Sequence, residues 1–95
     1  MTETNRYTAV CTVVGTDKPG IIAEVTRIFA DNDVNIVNIS QTILEDLFQM
    51  VMLIDTKNSK IGFLELADIL DEKGKEIACQ IILQEREVFS AMHRI

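Results

Sequence analysis

The residues with the clearest chemical potential in this chain lie in one short stretch, Gly15-Thr16-Asp17-Lys18-Pro19-Gly20, which leads into an amphipathic segment beginning at Ile21. The start of a helix presents backbone N–H groups without intrahelical partners and a partial positive charge. That combination suits a carboxylate or a phosphate, and a glycine at the junction lets a ligand come close to the backbone. Read alone, the same stretch is also an ordinary Pro-Gly turn that redirects the chain.

Other chemistries find little support. A nucleophilic triad needs a nucleophile, a base and an orienting acid, and the sole histidine is His93, close to the C-terminal residue. Cys11 and Cys79 are far apart in sequence and neither belongs to a CxxC pair, which argues for buried reduced thiols over a zinc site. If the strands that carry them are neighbours, the two thiols face each other, leaving a redox- or metal-responsive dimer as a third reading. Asp68, Asp71 and Glu72 fall on the outer face of an amphipathic segment, as solvated charges do. No catalysis, metal or cofactor is expected.

The elements that position these residues can be read from periodicity. Residues 7–14 are almost all β-formers and form a first strand. Ile21, Val25, Ile28 and Phe29 make one helical stripe, with Pro19 suited to the opening turn and Asn32-Asp33 as the end. Residues 34–44 read as a long strand with an imperfect period of two, and Glu45-Asp46 turns the chain into a strand over 47–55. The apolar run Met50 to Ile54 places that strand centrally in a sheet. Phe63, Leu66, Ala67, Ile69 and Leu70 mark a second helix capped by Gly74. Residues 77–84 form a last strand, and Val88, Phe89, Met92 and Ile95 form the stripe of a short C-terminal helix.

The order βαββαβ is that of an α+β, ferredoxin-like plait, a four-stranded antiparallel sheet with two helices on one face. The whole chain, 1–95, reads as one domain, with a core over 6–86 and an extension over 87–95. Val10, Val14 and Ile82 fall on the side the helices leave open, and burying that face against a second copy predicts a homodimer.

Composition narrows the partners. The chain has 95 residues, 47% hydrophobic and 25% charged, as an ordinary single globular domain has. A net charge of -6 repels phosphate backbones, and one Tyr, four Phe and no Trp leave no aromatic platform for bases, so nucleic acid is excluded as a direct partner. The apolar runs fall far short of the roughly 20 residues that cross a membrane. No basic and apolar leader opens the chain, and a soluble, cytoplasmic protein is expected.

The segments Asp17-Lys18-Pro19-Gly20-Ile21-Ile22-Ala23 and Ile28-Phe29-Ala30-Asp31-Asn32-Asp33-Val34-Asn35-Ile36 resemble the signature of the ACT domain, an amino-acid-sensing module of metabolic regulation. The resemblance spans nearly the whole chain. Its ending, residues 88–95, is similar to that of small stand-alone bacterial and archaeal ACT proteins, kin of the paired-ACT repressor of the glycine cleavage system.

The resemblance implies a ligand held between two domains, by the first loop and helix of one and by strand two of its neighbour. Position by position it assigns Asp17, Gly20, Ile21 and Asn35 to ligand binding. The Gly20 and Ile21 amides take the carboxylate, while Asp17 and the Asn35 side-chain carbonyl accept from the ammonium. Serine-responsive members carry an amide and a histidine where this chain has Asp17 and Gly15. The expected function is a non-catalytic regulatory domain that binds a small amino acid at a homodimer interface and signals in trans to a partner protein. The alternative is a ligand-free interaction or dimerisation module whose acidic helix faces dock onto a basic partner.

Overall fold

The computed structural model describes residues 7–16 and 18–92. Chain order gives β1 (Ala9–Thr16), α1 (Ile21–Asp31), β2 (Asn35–Leu44), β3 (Leu47–Asp55), α2 (Phe63–Ile77), β4 (Cys79–Glu85) and α3 (Arg86–Met92). The strands form one antiparallel sheet in the order β2-β3-β1-β4. This is the ferredoxin-like plait, with β1 and β3 central as the doubly apolar run of β3 requires.

Strand alternation divides the side chains between two faces. Ala9, Cys11 and Val13 of β1 share a core with Met50, Met52 and Ile54 of β3 and with Val25, Phe29, Leu66 and Leu70 of the helices. Both α1 and α2 therefore cover the same face. Phe29 is fully buried there, and complete burial of such a side chain stabilises by roughly 1.5–3 kcal/mol. The helices are also clipped together at the surface. Lys73 Nζ donates to Glu24 Oε1 at 3.0 Å and to Glu76 Oε1 at 2.7 Å. The Glu76 and Glu24 carboxylates raise the Lys73 pKa above its ordinary value.

Several boundaries differ from the periodicity reading. Pro19 lies just outside α1, whose N-cap is Gly20. The helix ends at Asn32 as expected: Asn32 Nδ2 donates to the Ile28 carbonyl at 2.8 Å, and Asp33 takes a positive φ of 60°. Val34 is not part of β2; its N–H returns to the Phe29 carbonyl at 2.9 Å and its side chain is buried. The imperfect alternation in β2 is a register shift between Ile36 and Asn38 where it pairs with β3.

Gly74 does not cap α2. The helix continues through Ile77, and Ala78 in a left-handed conformation closes it, its N–H bonded to the Gly74 carbonyl. Glycine at position 74 is explained instead by close packing, since a Cβ there would sit 2.7 Å from the Cys79 carbonyl oxygen.

The opposite face carries Val14 and Ile82 as expected. Val10 also points there but is fully buried, because α3 folds back against it: Gln84 Nε2 donates to Met92 Sδ at 3.2 Å. The C-terminal helix spans Arg86–Met92; the end of the predicted extension, His93 to Ile95, lies outside the described residues. Among the described residues, no helix is long and apolar enough to cross a membrane.

Candidate functional site

The first turn of α1 opens onto a cleft of about 440 Å³ lined by Lys18, Gly20, Ile21, Ile22, Ala23, Gln41, Ile43 and Phe48. Local sequence makes it. Gly20 adopts φ 92°, a left-handed conformation that side chains resist, and turns the loop sharply into the helix. A Cβ on Gly20 would meet nothing within 4 Å. The glycine thus serves backbone conformation, and the space beside it stays open.

Gly20 gives α1 no side-chain cap. The first intrahelical bond is Glu24 N–H to the Gly20 carbonyl at 2.9 Å, so the amides of Ile21, Ile22 and Ala23 precede the helix's own ladder. Lys18 adds a cationic side chain to the same rim. The opposite wall is built by the β2–β3 pairing, which sets Ile43 against Phe48 and Gln41 against Met50. An anion at the helix start, an apolar body against Ile43 and Phe48, and a hydrogen-bonding group towards Gln41 can be held together here.

Of the sequence-derived site residues, Gly20 and Ile21 line the cleft. Asn35 is exposed at the other end of β2, opposite Asp55. Its six-residue separation from Gln41 along an extended strand corresponds to about 20 Å, so one chain does not bring Asn35 to Gly20. Asp17 lies outside the described residues. Lys18 lies in the stretch that the sequence points to but carries no assigned role there, and Gln41, Ile43 and Phe48 are not among the sequence-derived site residues. The available signal was Gln41, a polar residue in register with Ile39 and Ile43 on the helix-covered face of β2.

The cysteines do not meet. β1 and β4 are neighbours, but Cys11 pairs with Leu83 and Cys79 with Gly15, four residues apart along β1 and hence about 13 Å. The expectation of facing thiols is corrected by this register. Both are free, and burial pushes the Cys11 thiol up to about 12. Among the described residues no group of three or more His, Cys, Asp or Glu side chains is arranged to hold a metal.

A second cavity of about 330 Å³ opens at the far end of the sheet, beside Tyr7, Thr8, Thr56 and Arg86. Its polar groups largely serve each other. The Thr8 and Thr56 hydroxyls are 2.7 Å apart, and Arg86 stacks 4.5 Å from the Tyr7 ring centroid. The helix start on the rim of the cleft at α1 has no side-chain cap.

Comparison with known proteins agrees with this fold. A family model described as ACT domain matches residues 8–84. A UPF0237 protein of Methanococcus maripaludis is 52% identical over 86 residues, covering 90% of this chain and 96% of the relative. Among solved structures, an ACT domain protein from Streptococcus pneumoniae superposes with a TM-score of 0.77 at 35% identity, covering 94% of this chain and 100% of that one. A putative glycine cleavage system transcriptional repressor gives a TM-score of 0.71 at 26% identity, covering 83% of this chain and 45% of that one.

Proposed function

The chain belongs to the ACT domain family, and from that premise we propose that it is a non-catalytic regulatory domain that binds a small amino acid at a homodimer interface. ACT domains are typically regulatory and bind small ligands. The observation that carries the proposal is the uncapped start of α1 facing a cleft whose outer wall is the exposed edge strand β2. The amides of Ile21 to Ala23, with Lys18, take the carboxylate of the amino acid.

The ammonium is held from the second subunit. β2 is an edge strand of ten residues, Asn35 to Leu44, with no charged side chain. Natural edges usually carry charge or proline against further pairing, and this one invites it. Antiparallel pairing of two copies of β2 about a central two-fold axis sets the Asn35 end of one against the Ile43 end of the other. The strand end that one chain leaves distant from Gly20 then lies beside the cleft of its neighbour. Asp17, which lies outside the described residues, is the second acceptor that the family resemblance assigns.

Occupancy of such an interface alters the pair as a whole, and the paired chains pass that state to a partner protein in the cytoplasm. A thermal-shift panel of the twenty amino acids on wild type and Asn35→Ala tests this. At 100 times its dissociation constant a ligand adds about 2.7 kcal/mol to the folded state. For a domain of this size that is a rise of roughly 10–20 °C in Tm. The proposal expects one amino acid to shift wild type and to shift the variant far less. A flat panel with ligand-free protein at millimolar amino acid removes it.

One observation favours a second reading, a ligand-free interaction module. The outer side of α2 exposes Leu64, 77% accessible, among Glu65, Asp68, Asp71 and Glu72, a pattern suited to a partner with a basic rim around an apolar pocket. A partner captured equally with and without amino acids would support that reading.

A further inference from the structure

We propose that Lys73 is a positioning residue of the α1 cleft: by holding the Glu24 carboxylate towards α2, it keeps the helix's own acidic side chain away from the amides that take the ligand's carboxylate. The inference rests on the amino-acid reading of that cleft given above. Glu24 is the acidic residue in the first turn of α1, three residues and so about 4.5 Å of helix rise beyond Ile21. A carboxylate so placed is drawn to the positive end of its own helix. It is an internal competitor for the position that the ligand's carboxylate must occupy.

The direction of that carboxylate is set from outside α1. Lys73 of α2 donates to Glu24 Oε1 at 3.0 Å, and a second bond, to Glu76 Oε1 at 2.7 Å, fixes the Lys73 ammonium from its own helix. Lys73 follows the buried Leu70 by three residues and shares the inward side of α2, so helix packing decides where the cation stands. Its hydrogen bonds to Glu76 and Glu24 raise its pKa, and it stays charged at neutral pH.

Space is the second observation. On the α2 side of the α1 start lies a smaller cavity of about 190 Å³, and Gly20, Ile21, Glu24 and Ile77 are among its lining residues. Gly20 and Ile21 line the ligand cleft as well. The Glu24 side chain therefore has room to turn towards the helix start, yet α1 has no side-chain cap. The bond to Lys73 accounts for that.

A stapling role for the pair explains less. Ion pairs near the surface stabilise a fold little, and this one joins helices already packed through Val25 and Phe29 of α1 and Leu66 and Leu70 of α2. What the pair does control is the charge that an incoming carboxylate meets. With Lys73 in place, Glu24 is neutralised and turned aside; without it, an uncompensated negative charge faces the ligand from one helical turn away.

Amide ¹⁵N–¹H spectra of the full chain test the proposal. The probes are the amino acid that raises the wild-type Tm most and, separately, inorganic sulfate as a bare anion, each titrated at low and high salt and read on the amides of Ile21 to Ala23. Lys73→Met is expected to bind both probes about threefold more weakly at low salt, with a smaller difference at high salt. Lys73→Met combined with Glu24→Gln keeps the wild-type net charge and is expected to restore the wild-type affinity. Lys75→Met removes the same charge from the outer side of α2, where Lys75 lies 3.5 Å from Asp71, and is expected to change neither affinity.

Wild-type affinity in Lys73→Met overturns the proposal. So does a loss that the double variant fails to repair, which marks a packing role, or one that Lys75→Met reproduces, which marks net charge alone. Sulfate binding that follows the expected pattern while no amino acid binds upholds the role of Lys73 towards an anion and removes the amino-acid reading instead. A wild type whose α1 amides respond to neither probe removes both.

Discussion

Gln41, near the end of edge strand β2, and Gly20, the N-cap of α1, line the same cleft although one belongs to the sheet and the other to the loop after β1. The helix supplies unpaired amides and the strand supplies a neutral amide side chain. Gln41→Leu keeps the size and removes the hydrogen-bonding group. The expected loss for one neutral hydrogen bond is about 0.5–1.5 kcal/mol, roughly a twofold to twelvefold weaker Kd. Calorimetric titration with the amino acid found in the thermal-shift panel measures it, and the melting temperature of the free protein should hardly change because Gln41 is exposed.

Gly20→Ala tests the backbone at the helix start. A Cβ meets nothing there, so the whole cost is that of a left-handed conformation, about 1–2 kcal/mol. Asn tolerates that conformation better, and Gly20→Asn is expected to recover much of the loss. Urea unfolding of the three proteins gives the ranking Gly, then Asn, then Ala; equal stability of all three contradicts it.

Gly74→Ala separates packing from helix propensity. In an exposed helix the change would stabilise by roughly 1 kcal/mol. Here the added methyl collides with the Cys79 backbone at 2.7 Å, which only a shift of α2 against β4 relieves. Overpacking of this kind costs about 1–3 kcal/mol, so a lower urea midpoint is expected despite the better helix former.

The Cys11 thiol gives a signed pH dependence. Burial raises its pKa from 9.0 to about 12, so the folded state favours the protonated thiol. Its contribution is complete below pH 9 and is lost as pH rises from 9 towards 12. Cys11→Ala should flatten the part of the stability decline in that window that belongs to this group. Alkylation of native protein followed by mass spectrometry should label the half-buried Cys79 well before Cys11.

The plait was readable from the sequence because its signals are local and periodic. The stripe of Ile21, Val25, Ile28 and Phe29 and the apolar run of β3 each specify an element and its buried side. Gly74 was misread because a glycine near a helix end normally stops the helix, and only the approach of β4 reveals what excludes a side chain there. The facing of Cys11 and Cys79 depended on register, which neighbouring strands alone do not fix. Half of the cleft was legible for the same reason as the helix: Gly20 and Ile21 announce the start of α1. Lys18, Gln41, Ile43 and Phe48 join it only through the turn of the loop and the β2–β3 pairing. The distance of Asn35 from Gly20 could not be read from the resemblance, which speaks of two subunits at once.

The most direct test of the central claim is the amide ¹⁵N–¹H spectrum of the labelled full chain, titrated with the amino acid that shifts Tm most. The account predicts that the largest shifts fall on the amides of Ile21, Ile22 and Ala23, with the Gln41 and Asn35 side-chain amides moving at the same ligand concentration. Shifts confined to the Tyr7, Thr56 and Arg86 end of the sheet, or no shift of the α1 amides at saturation, would contradict it.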